Sequence, residues 1–151
     1  MKKTVLLSLL LPIFFAGTAQ INEREATDWQ PIGRLHFGGI TKASMEYKAN
    51  EQDTTYLLFV KDVREVPKNN YFTIKFKNTN GTYEKLYTIL KSFFLPEYKK
   101  DKKYSRTFDL GNTGVNVQHY RLITGRGIMF YTQSGYTYWS EYDIDKLFGK
   151  R

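Results

Sequence analysis

The sequence predicts an α+β fold: an antiparallel meander sheet with one main amphipathic helix and a short C-terminal helix. Three observations lead there. Residues 71–77 alternate without interruption, with Phe72, Ile74 and Phe76 on one parity and Thr73, Lys75 and Lys77 on the other, the period-two pattern of a half-buried strand. Tyr83, Leu86, Tyr87, Leu90, Phe93 and Phe94 instead follow i, i+3, i+4 spacing, which gathers them on one face of a helix. Between residues 104 and 139, four short β-branched and aromatic runs are separated by glycine-bearing turns, as antiparallel hairpins require.

The chain begins with Lys2 and Lys3, an apolar run over residues 5–15, and small residues Gly17 and Ala19. This is the pattern of a bacterial-type secretory signal, with the small residues at the −3 and −1 positions of the cleavage site. Residues 1–19 are expected to be a signal peptide removed before Gln20, leaving the protein in the periplasm, at the cell surface or outside the cell. The apolar run falls short of the roughly 20 residues that span a bilayer and is broken by Ser8 and Pro12. No cysteine follows it to carry a lipid, and no later run is long enough for a membrane span in the mature chain.

Removing 19 of 151 residues leaves 132, the size of one domain able to bury a core without disulfides. With no cysteine in the chain, the core must suffice. The formal charge of +8 includes Lys2 and Lys3, and the leader holds no acid, so +6 stays with the mature protein. A basic balance favours anionic partners without selecting one.

Residues 20–30 are mainly polar, with Ile21 and Trp29 as the large apolar groups, and read as an exposed lead-in whose end Trp29 pins, ahead of a single α+β domain over 31–151. Residues 32–41 place Leu35 and Phe37 on one parity and Arg34, His36 and Gly38 on the other, a strand with which 43–48 can pair. Asn50 to Asp53 break the pattern, and 54–61 resumes as a continuous apolar and β-branched run suited to a central strand. Pro67 and Asn69-Asn70 mark a loop before the alternating strand at 71–77.

After Asn80-Gly81 the period changes to helical and ends at Pro96; a hairpin through Asn80-Gly81 would put Tyr83 and Leu86 on opposite faces. A lysine-rich connection at 99–103 leads to the meander runs 104–110, 115–123, 128–132 and 136–139. Ser140 and Asp143 then form a capping box for a short helix carrying Ile144, Leu147 and Phe148, ended by Gly149. The sequence shows no internal repeat.

Chemistry-bearing patterns are sparse. His36 and His119, the only histidines, lie in no metal-ligand spacing; His36 shares parity with Arg34 on a solvent face, and His119 with Val117 and Ile123. No serine sits in a GxSxG elbow and no thiol exists. Asp143 and Asp145 are explained by the dipole of the helix they begin. The glycines at 111, 114, 125 and 127 precede no long helix opening on Lys-Ser or Lys-Thr, so they read as turns, not phosphate loops. These residues predict no catalytic group, metal or cofactor.

Two features point to binding. Lys99, Lys100, Lys102 and Lys103, flanked by Tyr98 and Tyr104, can hold phosphates and stack rings; the bland alternative is a solvated loop. The aromatic share is 17%, and Tyr131, Tyr136, Tyr138 and Trp139 fall in neighbouring meander strands, where one parity enters the core and the other forms a surface patch. The resulting expectation is an exported, non-enzymatic binding module. Its aromatic and basic surface would contact an envelope macromolecule, glycan or acidic protein, and export argues against dedicated genomic DNA binding. A hydrolase of envelope polymers using carboxylates or a histidine is the alternative, and a docking subunit that adds a strand to an exposed edge is a third reading.

Overall fold

A computed structural model describes residues 28–64 and 70–151; the segment expected to be a signal peptide and most of the expected lead-in lie outside the described residues. The strands are β1 (Gln30–Phe37), β2 (Ile40–Ala49), β3 (Thr54–Lys61), β4 (Tyr71–Lys77), β5 (Ser105–Leu110), β6 (Thr113–Leu122), β7 (Gly125–Thr132) and β8 (Gly135–Ser140); the helices are α1 (Thr82–Ser92) and α2 (Glu141–Leu147). The fold is α+β with antiparallel meanders. Instead of one sheet, the strands divide into two, ordered β1-β2-β3-β4 and β5-β6-β7-β8. A helix follows each meander, so the topology repeats although the sequence does not.

The first predicted strand is cut by a hairpin. Gly38 and Gly39 both take positive φ, 55° and 78°, as the two central residues of a tight hairpin turn do, so β1 ends at Phe37 and β2 begins at Ile40. The register also slips between Leu35, opposite Ala43, and His36, opposite Thr41. This bulge interrupts the inside-outside alternation. Leu35 is buried, whereas Phe37, expected beside it, is 77% exposed. At the other end of β1, Gln30 is already paired with Tyr47. The preceding Trp29 lies under the Lys75 ammonium, 6.0 Å from the ring centre.

One hydrophobic cluster joins both sheets and both helices. The first sheet supplies Leu35, Ala43, Met45, Leu58, Val60, Phe72, Ile74 and Phe76, and the second supplies Val115, Val117, Ile128, Phe130 and Trp139, each set on a single strand parity. From α1 come Leu86 and Leu90, with Phe93 just beyond its end, and from α2 Ile144 and Leu147. Tyr83 ties three elements together: its ring stacks on Tyr56 at 4.7 Å and meets Phe148 at 5.1 Å, while its hydroxyl donates to the Phe148 carbonyl at 2.8 Å.

The predicted capping box is present. Asp143 N–H donates to Ser140 Oγ at 3.1 Å, and Ser140 N–H donates to Asp143 Oδ2 at 2.9 Å. Gly149, at φ 62°, closes α2 with bonds from Gly149 N–H to the Lys146 carbonyl and from Lys150 N–H to the Asp145 carbonyl. The carbonyls of Lys146 and Leu147 occupy the space a side chain at residue 33 would need. Only a glycine in β1 lets α2 approach this closely.

Two buried carboxylates hold the layers in register. Asp62, just past β3, accepts from Arg64 N–H at 3.1 Å, Arg64 Nε at 2.6 Å and Tyr136 N–H at 3.3 Å. Val63 N–H donates to the Tyr136 carbonyl at 3.0 Å, so the first sheet grips the start of β8. Asp145 accepts from Tyr87 Oη at 2.9 Å and Lys91 Nζ at 2.9 Å, with Arg151 Nε at 3.2 Å from its other oxygen, locking α1 against α2. Burial pushes both carboxyls up, yet the hydrogen bonds and the cations beside them prevail and hold both below the usual Asp value.

Candidate functional site: a basic groove continuous with a tyrosine face

The lysine connection is not a free loop. His119 of β6 donates from Nε2 to the Tyr98 carbonyl at 3.0 Å, and Arg126 of β7 donates to the Lys99 carbonyl. A carbonyl only accepts, so the bond fixes the proton of His119 on Nε2. Backbone bonds from Lys99 N–H to Leu95, Asp101 N–H to Tyr98 and Tyr104 N–H to Asp101 wind the segment into successive turns. The carboxylate of Asp101 accepts from the Lys103 N–H at 2.9 Å.

Against this pinned loop the β6–β7 hairpin forms a groove of about 710 Å³. Lys99, Lys100, Lys102, His119, Tyr120, Arg121, Gly125 and Arg126 line it. Its five cations have no carboxylate partner among the described residues. Unneutralised charges gathered around one concavity produce a positive potential that attracts anions.

Tyr120 lines this groove and belongs to the outer face of the second sheet, whereas Arg121 and Arg126, opposite each other in register, take the inner parity of His119 and Ile128. It is 40% exposed, and its ring stacks on Tyr138 at 3.9 Å. Tyr138 in turn meets Tyr136 edge-on at 5.6 Å, and Tyr136 stands opposite Tyr131, which is 47% exposed. Tyr120 on β6 and Tyr138 on β8 meet across β7, where the residue opposite Tyr120 is Gly127, which brings no side chain of its own. Burial, followed by the hydroxyl of Tyr120 and the neighbouring Tyr136, raises the Tyr138 phenol well above its usual range. Tyr138 therefore stays neutral at physiological pH.

The predicted residues divide accordingly. Lys99, Lys100 and Lys102 line the groove, whereas Lys103 is exposed and outside its lining. Tyr98 and Tyr104 stack on each other at 4.3 Å, with Tyr104 also packed on Phe93 at 4.7 Å and its hydroxyl 2.9 Å from Ser92 Oγ. Their rings brace the loop instead of offering a paired platform. Tyr131, Tyr136 and Tyr138 share the outward parity of β7 and β8. Trp139 is a correction: it shares the inward parity of β8 with Thr137, is fully buried, and packs on Phe130 at 4.9 Å. It belongs to the core beneath the patch.

His119, Tyr120, Arg121 and Arg126 were missed as site residues by sequence reasoning. Tyr120 follows the outward parity of Gln118, and two arginines flank the turn at Gly125, but neither fact says which loop faces that hairpin. His36 stands apart at the β1–β2 hairpin, its Nδ1 3.4 Å from Thr41 Oγ1. Neither histidine has a carboxylate partner, and no group of three or more His, Cys, Asp or Glu side chains that could hold a metal occurs among the described residues. No helix among the described residues is long and apolar enough to cross a membrane. No family model matches the chain, and neither a curated protein nor a solved structure matches it.

Proposed function

We propose that this protein is an exported, non-enzymatic binding module that holds an anionic glycan or glycan-bearing macromolecule of the bacterial envelope or exterior. The observation that carries the reading is Tyr120, which belongs to both the basic groove and the tyrosine stack. Separate charge and aromatic patches have ordinary explanations, as a solvated loop and as cross-strand packing. Tyr120 brings them to the same end of the β6–β7 hairpin, where anions pair with Lys and Arg while sugar rings lie on tyrosine faces. The pinned loop adds preorganisation, since its backbone is held by His119 and Arg126 before a ligand arrives.

The test is retention of the purified protein on immobilised lipopolysaccharide and on neutral dextran. Retention on lipopolysaccharide that is lost near 1 M salt, where the screening length falls to about 3 Å, supports the reading. So does loss of retention in a Lys99→Gln, Lys100→Gln, Lys102→Gln triple variant with an unchanged melting temperature. Equal retention on dextran, or none on either matrix, refutes it.

A further inference from the structure

The cations of the groove are set against one another. Arg121 and Arg126 stand directly opposite in the β6–β7 register, next on the inner parity after His119 and the buried Ile128, which places their Cβ atoms about 5 Å apart. Lys99, Lys100 and Lys102 line the same groove from the loop. The two acids of that loop do not offset them: Glu97 and Asp101 are outside the lining, and the Asp101 carboxylate accepts from Lys103 N–H within its own turn. Arg126 donates to the Lys99 carbonyl, which orients a guanidinium without neutralising it. Like charges directly opposite each other on a sheet destabilise the pair, and three more cations around the concavity add to that repulsion. A merely solvated basic loop does not account for its lysines converging on an opposed arginine pair.

We infer that the groove is the site of a diphosphate group, two linked phosphates carried by the ligand, and that binding this group relieves the repulsion between Arg121 and Arg126. The assignment rests on the anionic-glycan function proposed above and names its anion.

Charge, size and shape each favour it. One phosphate brings at most about −2 at neutral pH and leaves most of the charge of five cations uncompensated; a second phosphate joined to the first adds charge within the same small space. The groove, at about 710 Å³, holds more than a lone phosphate. Its donors come from two walls, the arginine pair on the strands and the lysines on the loop. Tetrahedral phosphates turn oxygens toward both walls, where guanidinium forks take two oxygens of one group and ammonium groups take the rest. A carboxylate has only two oxygens, in one plane. A nucleic acid carries its phosphates singly, with a sugar between each and the next, so it delivers less charge to one concavity.

The experiment combines scanning and titration calorimetry of the purified protein near 0.01 M ionic strength, where the screening length is about 30 Å. The probes are inorganic pyrophosphate, inorganic phosphate and citrate. Pyrophosphate is expected to bind at least about tenfold more tightly than either of the others. With no probe present, Arg121→Gln should melt about 1–3 °C above the parent because the opposed pair is gone, while its pyrophosphate affinity falls several-fold. Arg121→Lys, which keeps the charge but loses the fork, should melt with the parent and still bind pyrophosphate more weakly. Citrate binding as tightly as pyrophosphate would overturn the phosphate assignment, and phosphate binding as tightly would overturn the linked pair. An Arg121→Gln protein that melts at or below the parent's temperature would overturn the repulsion. Absence of pyrophosphate binding alongside persistent retention on lipopolysaccharide would remove the diphosphate and leave the anionic-glycan module standing, whereas loss of both would remove the function itself.

Discussion

Replacing Asp62 by Ala tests how the tyrosine face is held to the rest of the molecule. The Asp62 side chain is fully buried, whereas its partner Arg64 is 44% exposed. Deleting the carboxylate leaves the Tyr136 N–H without its side-chain acceptor, a loss of about 1–3 kcal/mol for a buried donor. Breaking a fully buried ion pair costs about 3–5 kcal/mol, but water can reach the Arg64 guanidinium, so the pair contributes less here. Together these place the destabilisation of Asp62→Ala at about 2–4 kcal/mol. Urea denaturation at pH 7 followed by tyrosine fluorescence measures it.

Acid supplies the second arm of that test. The folded Asp62 carboxyl titrates below its unfolded value, so its stabilisation is complete above an unfolded pKa of about 3.9 and is lost as pH falls through the lower folded value. Asp62→Asn, which cannot ionise, should be less stable at neutral pH and show a shallower loss of stability between pH 4 and 2, a window set by that unfolded value. Asp145, whose carboxyl is also held below its usual value, contributes in the same direction. A change below about 0.5 kcal/mol in Asp62→Ala, the level of a neutral surface substitution, would refute the reasoning. So would an acid dependence in Asp62→Asn equal to that of the parent.

Three further outcomes follow from the packing. Burial, aided by Glu84, pushes the Tyr83 phenol up to about 12; its contribution is therefore intact below the unfolded pKa of about 10 and lost as pH rises from there toward 12. Ultraviolet titration should show a late-ionising tyrosine class in the parent that shrinks in Tyr83→Phe. Gly33→Ala drives a methyl into the carbonyls of Lys146 and Leu147, and overpacking of this kind costs about 1–3 kcal/mol or more; a thermal midpoint equal to the parent would contradict the close approach of α2 to β1. Ser140→Ala removes the cap from α2 and should cost about 1 kcal/mol by urea denaturation, whereas Ser140→Thr should retain most of it.

Much of the local structure was legible because it depends on near neighbours. The alternation at 71–77 became β4, the helical spacing from Tyr83 became α1, and the Ser140 capping box formed as read. The miss at Phe37 was also local: the Gly38-Gly39 turn and the bulge beside Leu35 interrupted the period-two count. The division of strands into two sheets was not local. Each hairpin specifies its own pairing, but nothing in a hairpin says whether the next one extends the same sheet, and α1 sits where the two part.

The same boundary runs through the site. Strand parity, a property of consecutive residues, determined that Tyr131, Tyr136 and Tyr138 share a face. Which parity faced the core was not legible, so Trp139, read with the surface residues, proved to be buried. The meeting of the lysine loop with Arg121 and Arg126 was decided only by folding, since His119 and Arg126 bind carbonyls 21 and 27 residues away. So was the contact of Tyr120 with Tyr138 across an intervening strand. Side-chain periodicity is written in the chain because covalent geometry enforces it, whereas contacts between distant segments depend on how several elements close around one core.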